Sequence, residues 1–488
     1  QTASESAESG KITKTDIVVG QASDIVTLDP AGQQDTTSGV LMKHAYSTLL
    51  DVDNEGKVVP DLAESYEMKS DTEYVFKLRE DACFWDGTPV TAQDVKFSLD
   101  RAKGMPKTKS NTSKIEEVTV NGDHEVTIKL TEPYAAFKTI VTQHNLSILS
   151  EKAVTEAGDS YGDVDNLLGS GPFKVTEWVP NDHYTLVRND NYWGEMPIAT
   201  SITCRVIPEG SARTIALEAG EIDVVWSVDP TDCANVESNP DVKLLSQPST
   251  GIDYVGMNTQ KEKFSDKRVR QAINYALDKQ AFVDTIIEGR GLVANSYINA
   301  AIPGWTDEVE AYPYDPEKAK ELLAEAGYPD GFECSIFVNG DLRTRSAQIL
   351  QAQLADVGIK VDISTYEWGA LLDTLNAGEH EMFLLGWSNT SFDPDGSTYQ
   401  LFYSGNHGAT GNRAFFSNDK VDELILSAQR ESEESKRMEL YKELQFVLHE
   451  ESPWCPLYYK ENNVGVRADL KGFTLHAGAQ HYLGNCHY

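Results

Sequence analysis

The sequence predicts an α/β protein of two or three compact units, one of them a small α+β unit in the first third. Three observations carry this. The chain has 488 residues, too many for one hydrophobic core. Residues 332–387 alternate strand and helix periodicity as β-α-β-α-β. Residues 74–130 read instead as a strand, a helix and a hairpin.

Taken in order, the opening QTASESAESGKITKTD is small, polar and without periodicity, as expected of a flexible tether over 1–15. It holds neither an initiator Met nor a secretory apolar segment, so a targeting segment is expected to have been removed. Tyr74, Phe76 and Leu78 alternate as in a half-buried strand, Asp86-Gly87 marks a turn, and Thr91 starts a helix in TAQDVKFSL. Residues 115–130 predict a hairpin closed by Asn121-Gly122. Short strands follow at 171–177, 183–188, 201–207 and 223–228. The helix predicted over 266–281 has Val269, Ala272, Ile273, Ala276 and Leu277 on one face. In DPEKAKELLAEAG (315–327) Asp315 caps, Pro316 takes the first turn and Gly327 ends the helix.

The stretch 332–387 is the most explicit. Phe332, Cys334, Ile336 and Val338 alternate; a helix over 344–357 buries Ala347, Leu350, Leu354 and Val357 and stops at Gly358. Ile359, Val361 and Ile363 alternate again, a short helix covers 367–377, and MFLLGW ends at Trp387. Such an order predicts parallel strands with right-handed crossovers, and ligands beyond their carboxyl ends. The loop Asn339–Arg343 and the loop after Trp387 leave carboxyl ends on the same edge. Trp387 is therefore expected on the wall of a cleft rather than in the core. Amphipathic helices at 420–430 and 434–450 complete this unit.

Composition excludes several functions. The net charge of −35, from 42 basic and 77 acidic residues, argues against nucleic acid. No apolar run approaches the roughly 18 residues that cross a bilayer. Six cysteines are scattered without a CxxC pair and read as buried free thiols. Gly289–Ala294 fits a loose GxGxxA pattern, but after a helix rather than between strand and helix. His380-Glu381 lacks the second histidine of a zinc protease, and no GxSxG elbow occurs. His476, His481, Cys486 and His487 match no standard metal spacing. Asn111 and Asn389 begin glycosylation triplets. No nucleophile or carboxylate pair stands out, so an enzyme is not expected, and no cofactor.

Several motifs together resemble a known family. They are TLDP (27–30), VVPDLAESYE (ending at Glu67), FKLREDACFWDGTPVTAQDVKFSL (76–99), GSGPF (169–173), RNDNYWG (188–194), DKRVRQAINYALD (266–278), YDPEKAKELLAEAGYPDGF (314–332), QLADVGIKV (353–361) and Gly386-Trp387. In order and spacing they resemble the solute-binding proteins of ABC importers, bacterial extracellular family 5, which includes peptide, dipeptide, glutathione and nickel binders. The resemblance implies a two-lobed periplasmic-binding-protein-like α/β fold with an inserted α+β subdomain. Lobe I would comprise 16–44, 169–254 and 466–488, the insertion 45–168, and lobe II 255–465. The hinge would lie near Tyr254–Asn258 and Val464–Val466. It further implies an extracytoplasmic monomer, a periplasmic protein or a cell-surface lipoprotein touching the membrane only through a lipid anchor, that delivers a short peptide or other small polar solute to permease subunits. FWDGTPVTAQDV is expected to hold the insertion together rather than touch ligand.

The family's peptide binders place an aspartate three residues after the strand-end tryptophan, against the peptide's α-amino group. Thr390 stands there in this chain. Either Asp393 takes over, or the ligand carries no α-amino group at that place. The loop from Trp387 through Asn389, Thr390 and Asp393 to Asp395 offers acceptors. Arg343, with Arg345 as its alternate, occupies the loop where dipeptide binders present an arginine to the ligand carboxylate. Arg413 serves a second acid group or a rim ion pair. Gln33, Gln34 and Asp35 follow the first strand and face the cleft, and Trp368 and Tyr399 either stack on ligand or pack in the core.

Overall fold

The computed structural model describes residues 12–488, so most of the stretch expected to be a tether lies outside the described residues. Eleven strands form one large sheet. Ten run in the order Lys360–Thr365, Glu333–Val338, Met382–Ser388, Val242–Met257, Trp454–Arg467, Val224–Val225, Asp16–Gln21, Ser201–Val206, His183–Arg188 and Phe173–Val179. Gly291–Val293 adds against Trp454–Arg467.

Two of these strands are exceptionally long. Val242–Met257 and Trp454–Arg467 pair antiparallel from Val242 opposite Arg467 to Gly256 opposite Trp454. One end of the ribbon borders Val224–Val225 and the other Met382–Ser388, so both lobes are built on it. The register shifts between Pro248 and Ile252. Proline gives no N–H to a ladder, and here the Ser249 hydroxyl donates to the Lys460 carbonyl at 2.7 Å instead.

The buried apolar side chains follow this division. Ile17, Val19, Phe173, Tyr184, Ile202 and Val466 form the core of lobe I. Val269, Ile273, Ile336, Leu350, Leu354 and Leu384 form one core of lobe II, and Leu375, Phe383, Leu444 and Trp454 a second on the opposite face of its strands. A separate four-stranded antiparallel sheet has the order Ala63–Ser70, Glu73–Leu78, Glu125–Leu130, Ile115–Gly122. The helix Ala92–Lys103 packs Val95 and Leu99 against its Phe76 and Ile128.

Glu333–Val338 pairs parallel with Lys360–Thr365 and with Met382–Ser388, as its β-α-β-α-β pattern requires. Other expectations shift. The helix expected over 266–281 breaks at the extended Leu277, and Asp278 caps a second helix, Lys279–Thr285. A side-chain acceptor placed there starts a new helix more favourably than the old one continues. The hairpin turns at Asp123-His124 rather than Asn121-Gly122, because the register shift between Val120 and Gly122 takes up the flexible dipeptide. The turn carbonyls are then spent on neighbours: Asp123 accepts from the Ala92 N–H and His124 from the Leu78 N–H, both at 2.8 Å. Of 223–228 only Val224–Val225 pairs. All six cysteines are free, and only Cys83 is not buried.

FWDG and GSGPF meet at one joint. The Trp85 N–H donates to the Gly169 carbonyl at 2.9 Å, the Gly171 N–H to the Ala45 carbonyl at 3.0 Å, and the Trp85 indole to the Gly171 carbonyl at 3.3 Å. A Cβ on Gly171 would come within 2.5 Å of the Ala45 carbonyl carbon. Backbone cannot yield as a side-chain tip can, so Gly171→Ala is expected to destabilise the protein by about 1–3 kcal/mol. Denaturant melts of variant and wild type measure this, and an unchanged midpoint would remove the joint's proposed role.

Candidate ligand-binding cleft

The carboxyl ends of the parallel strands in both lobes open onto one cavity of about 380 Å³. From lobe II it is lined by Asn339 and Arg343, by Trp368, and by Trp387 and Ser388. From lobe I come Gln33 to Thr37, Trp226 and Ser227, and Gln480 and His481. The ribbon residues Lys460 to Asn463 cross between them, and Gln143 to Asn145 reach in from the insertion.

Trp387 stands opposite Ile252 at the end of its strand. Its indole N–H donates to the Gly396 carbonyl at 3.0 Å, and the ring packs on Ile252, Ala294 and Tyr459 while also bordering the cavity. The preceding Gly386 lies opposite Asp253. A Cβ there would fall 2.1 Å from Asp253 Oδ1. That buried carboxylate accepts from Lys460 Nζ at 3.3 and 3.2 Å.

The expected site residues separate into two groups. Gln34, Asp35, Arg343, Thr390 and Arg413 border the cavity with Trp387. Asn389, Asp393, Asp395 and Tyr399 do not. The Asn389 amide donates to the Asp393 carbonyl at 2.7 Å and to Ser397 Oγ at 2.8 Å, so it organises its own loop. Asp393 accepts both Nη groups of Arg437, one at 2.9 Å, in a buried bidentate pair. Asp395 accepts from the Tyr134 hydroxyl at 2.5 Å and from Gln429 Nε2 at 2.9 Å. Burial and then the neighbouring Asp393 charge push its carboxyl up to about 6. The Tyr399 hydroxyl bonds Ser113 Oγ at 2.9 Å, and its ring stacks on Tyr403. For the last three the physical reason is common: the loop folds back on the helices Asp419–Arg430 and Glu434–Glu451 and on the insertion, which use up its polar groups.

The residues that remain at the cavity carry unspent capacity. Thr390 is the exception, since its hydroxyl donates to Gln143 Oε1 at 2.8 Å. Gln34 Nε2 donates to the Thr410 carbonyl at 3.2 Å, leaving Oε1 unpartnered. Asp35 caps helix Thr36–Ala45 through the Ser38 N–H at 2.9 Å, and its other oxygen is buried without a partner. The Trp368 indole N–H lies near it but outside hydrogen-bond geometry. Burial raises the Asp35 carboxyl. Arg343 lies over the Trp368 ring at 5.8 Å, with its Nε buried and unpartnered. Arg413 is buried, donates Nε to Asn376 Oδ1 at 3.0 Å, and is lowered by desolvation. Among the described residues neither arginine forms an ion pair. Arg345, by contrast, is paired with Asp229 at 2.8 Å across the cleft rim.

The residues matched by the model for bacterial extracellular solute-binding proteins, family 5 (middle), are 57–409. This chain belongs to that family. The glutathione-binding protein GsiB of Escherichia coli (strain K12) is 32% identical over 479 residues, covering 94% of this chain and 92% of that protein. The periplasmic binding protein DppA of Helicobacter pylori, solved with the peptide STSA, superposes with a TM-score of 0.92 at 29% identity, covering 97% and 99% of the two chains. The binding protein AgaA of A. tumefaciens R10, solved with agropinic acid, gives 0.90 at 27%, covering 95% and 97%.

Within this family 5 chain, several cavity residues escape sequence reasoning. Trp226 follows Val224–Val225 at a carboxyl end, the same rule that points to Trp387, but the expected strand over 223–228 conceals it. His481 stacks on Trp226 at 5.2 Å and is pushed down to about 3 by burial, so it lines the cavity as a neutral aromatic. His476 uses Nδ1 to accept the Gly478 N–H at 3.1 Å. Among the described residues no cluster of potential metal ligands forms. Asn111 and Asn389, which begin the glycosylation triplets, are both buried.

Asp395 yields a signed prediction. Its folded pKa of about 6 exceeds the ordinary 3.8, so the folded state holds the proton more tightly. Its contribution is fully present below about pH 4 and lost as pH rises through about 6. Asp395→Asn keeps the shape and removes the titration. Wild type is therefore expected to lose stability relative to Asp395→Asn between pH 4 and 7; parallel curves from urea melts would refute this.

Proposed function

We propose that this family 5 protein captures short peptides, of dipeptide, oligopeptide or glutathione-like kind, as the extracytoplasmic binding component of an ABC importer. The observation that carries this reading is a cavity between two lobes lined by Arg343 and Arg413 without carboxylate partners and by Trp226, Trp368 and Trp387. A cavity of about 380 Å³ falls within the usual span of small-molecule sites, about 300–1,000 Å³. Guanidinium forks suit ligand carboxylates, and the indoles suit the faces of a peptide. GsiB binds glutathione and DppA was solved with a peptide, which supports the same class of ligand here.

In this reading lobe I is 16–44, 169–254 and 466–488, the insertion 45–168 and lobe II 255–465. The lobes close about the ribbon where its ladder shifts between Pro248 and Ile252, rather than at the expected Tyr254–Asn258 and Val464–Val466, which do not lie opposite one another. Ligand shifts the open–closed equilibrium by its greater affinity for the closed form. The solute is bound and released unchanged. The protein acts as a monomer, periplasmic or held at the cell surface by a lipid anchor, and docks on permease subunits when closed.

Native mass spectrometry of the purified protein, followed by denaturation, identifies any released solute; short peptides or glutathione support the reading, and a discrete non-peptide mass would redirect it. Titration with glutathione and di- and tripeptides is expected to change the intrinsic tryptophan fluorescence. Trp387→Ala is expected to raise Kd about tenfold while leaving the melting temperature within a few degrees. A large fall in melting temperature would make Trp387 a packing residue instead.

A further inference from the structure

We propose that this cleft recognises its solute through acid groups and does not require a free α-ammonium. The inference rests on the short-solute reading above and extends it to acids whose amine is blocked or absent, such as N-acyl and lactam-closed peptides.

A desolvated ammonium needs a carboxylate that is not already spent. The acids near the cavity are either paired or already faced by a cation of the protein. Thr390 stands where the resemblance would place the aspartate, and its hydroxyl is given to Gln143. Asp393 is closed in a bidentate pair with Arg437. Asp395 is held by Tyr134 and Gln429. Asp253 is paired with Lys460. Asp35 caps its helix with one oxygen and leaves the other unpartnered, and the charges facing it are the cations Lys107 and Arg413. Glu461 is half-buried on the ribbon and faces Arg290, itself paired with Glu237 at 2.7 Å.

The cations are in the opposite condition. Arg343 and Arg413 border the cavity without an ion pair among the described residues; Arg413 shares the buried Asp35 with Lys107, which Asp373 also faces. An ammonium entering here meets those guanidiniums, and the open oxygen of Asp35 is already faced by two cations. A carboxylate meets two guanidiniums whose capacity the protein leaves open. The other unpartnered atoms at the wall include the amide oxygens of Gln34 and Gln480. These neutral acceptors suit an amide N–H, the group left when an amine is acylated.

Calorimetric titration of the full chain with two matched sets tests this. One set is glutathione, N-acetylglutathione and N-acetylglutathione amidated at both carboxyls. The other is Ala-Ala-Glu with the corresponding N-acetyl and N-acetyl-diamide forms. Acetylation is expected to change Kd by less than about threefold, and amidation to weaken it by about a hundredfold or more. A hundredfold loss on acetylation would overturn this proposal while leaving the peptide-importer reading intact. No binding by any member of either set would overturn both. Arg413 is buried and its replacement risks the fold, so Arg343→Gln, half-exposed, carries the variant arm. It is expected to reduce the preference for acid over amide at least tenfold with an unchanged melt; a retained preference would overturn the role given to the arginines.

Discussion

The pairing of Val242–Met257 with Trp454–Arg467 is the interaction on which the rest depends. Both strands pass from one lobe's sheet into the other's, so neither lobe completes its hydrogen-bond ladder without them. The shift at Pro248–Ile252 falls where the ribbon crosses the cavity, and Lys460 to Asn463 line it there. A ladder interrupted at that point holds fewer backbone bonds per residue than the paired stretches beside it. The fold therefore places its least constrained backbone pairing at the boundary between two well-packed cores.

A second constraint sorts the polar residues: a buried charge must find a partner within the protein or leave that capacity for something else. The loop after Trp387 satisfies itself internally, through Asn389, and externally, through Arg437, Tyr134 and Gln429. Its acids are structural because helix Glu434–Glu451 and the insertion reach them first. The cavity arginines Arg343 and Arg413 form no ion pair among the described residues. Function in this cleft is carried by what the packing leaves unsatisfied rather than by which acidic or basic residues lie near it in sequence.

The fold was largely readable because it rests on local periodicity. The parallel strands around Glu333–Val338 and the cap at Asp315 announce themselves within a few residues. Strand-end logic likewise brought Trp387, Arg343 and the Gln34-Asp35 pair to the cavity wall. Legibility failed where partners come from afar. Nothing near Asp393 in sequence signals Arg437, and nothing near Thr390 signals Gln143. Gln480 and His481 enter from the far end of the chain, whose histidines read as a loose metal pattern but serve as buried aromatics and backbone acceptors. Trp226 was hidden by a strand expected to run longer than it does.

Gly386 gives a last consequence. Its missing side chain is the room in which the Asp253 carboxylate sits beside Lys460. Any larger residue would push on that oxygen and disturb one of the two contacts that hold the lysine. A residue with no charge and no polar side chain thus sets the local ionic balance of the cleft, which makes the Gly-Trp dipeptide an electrostatic device as much as a steric one.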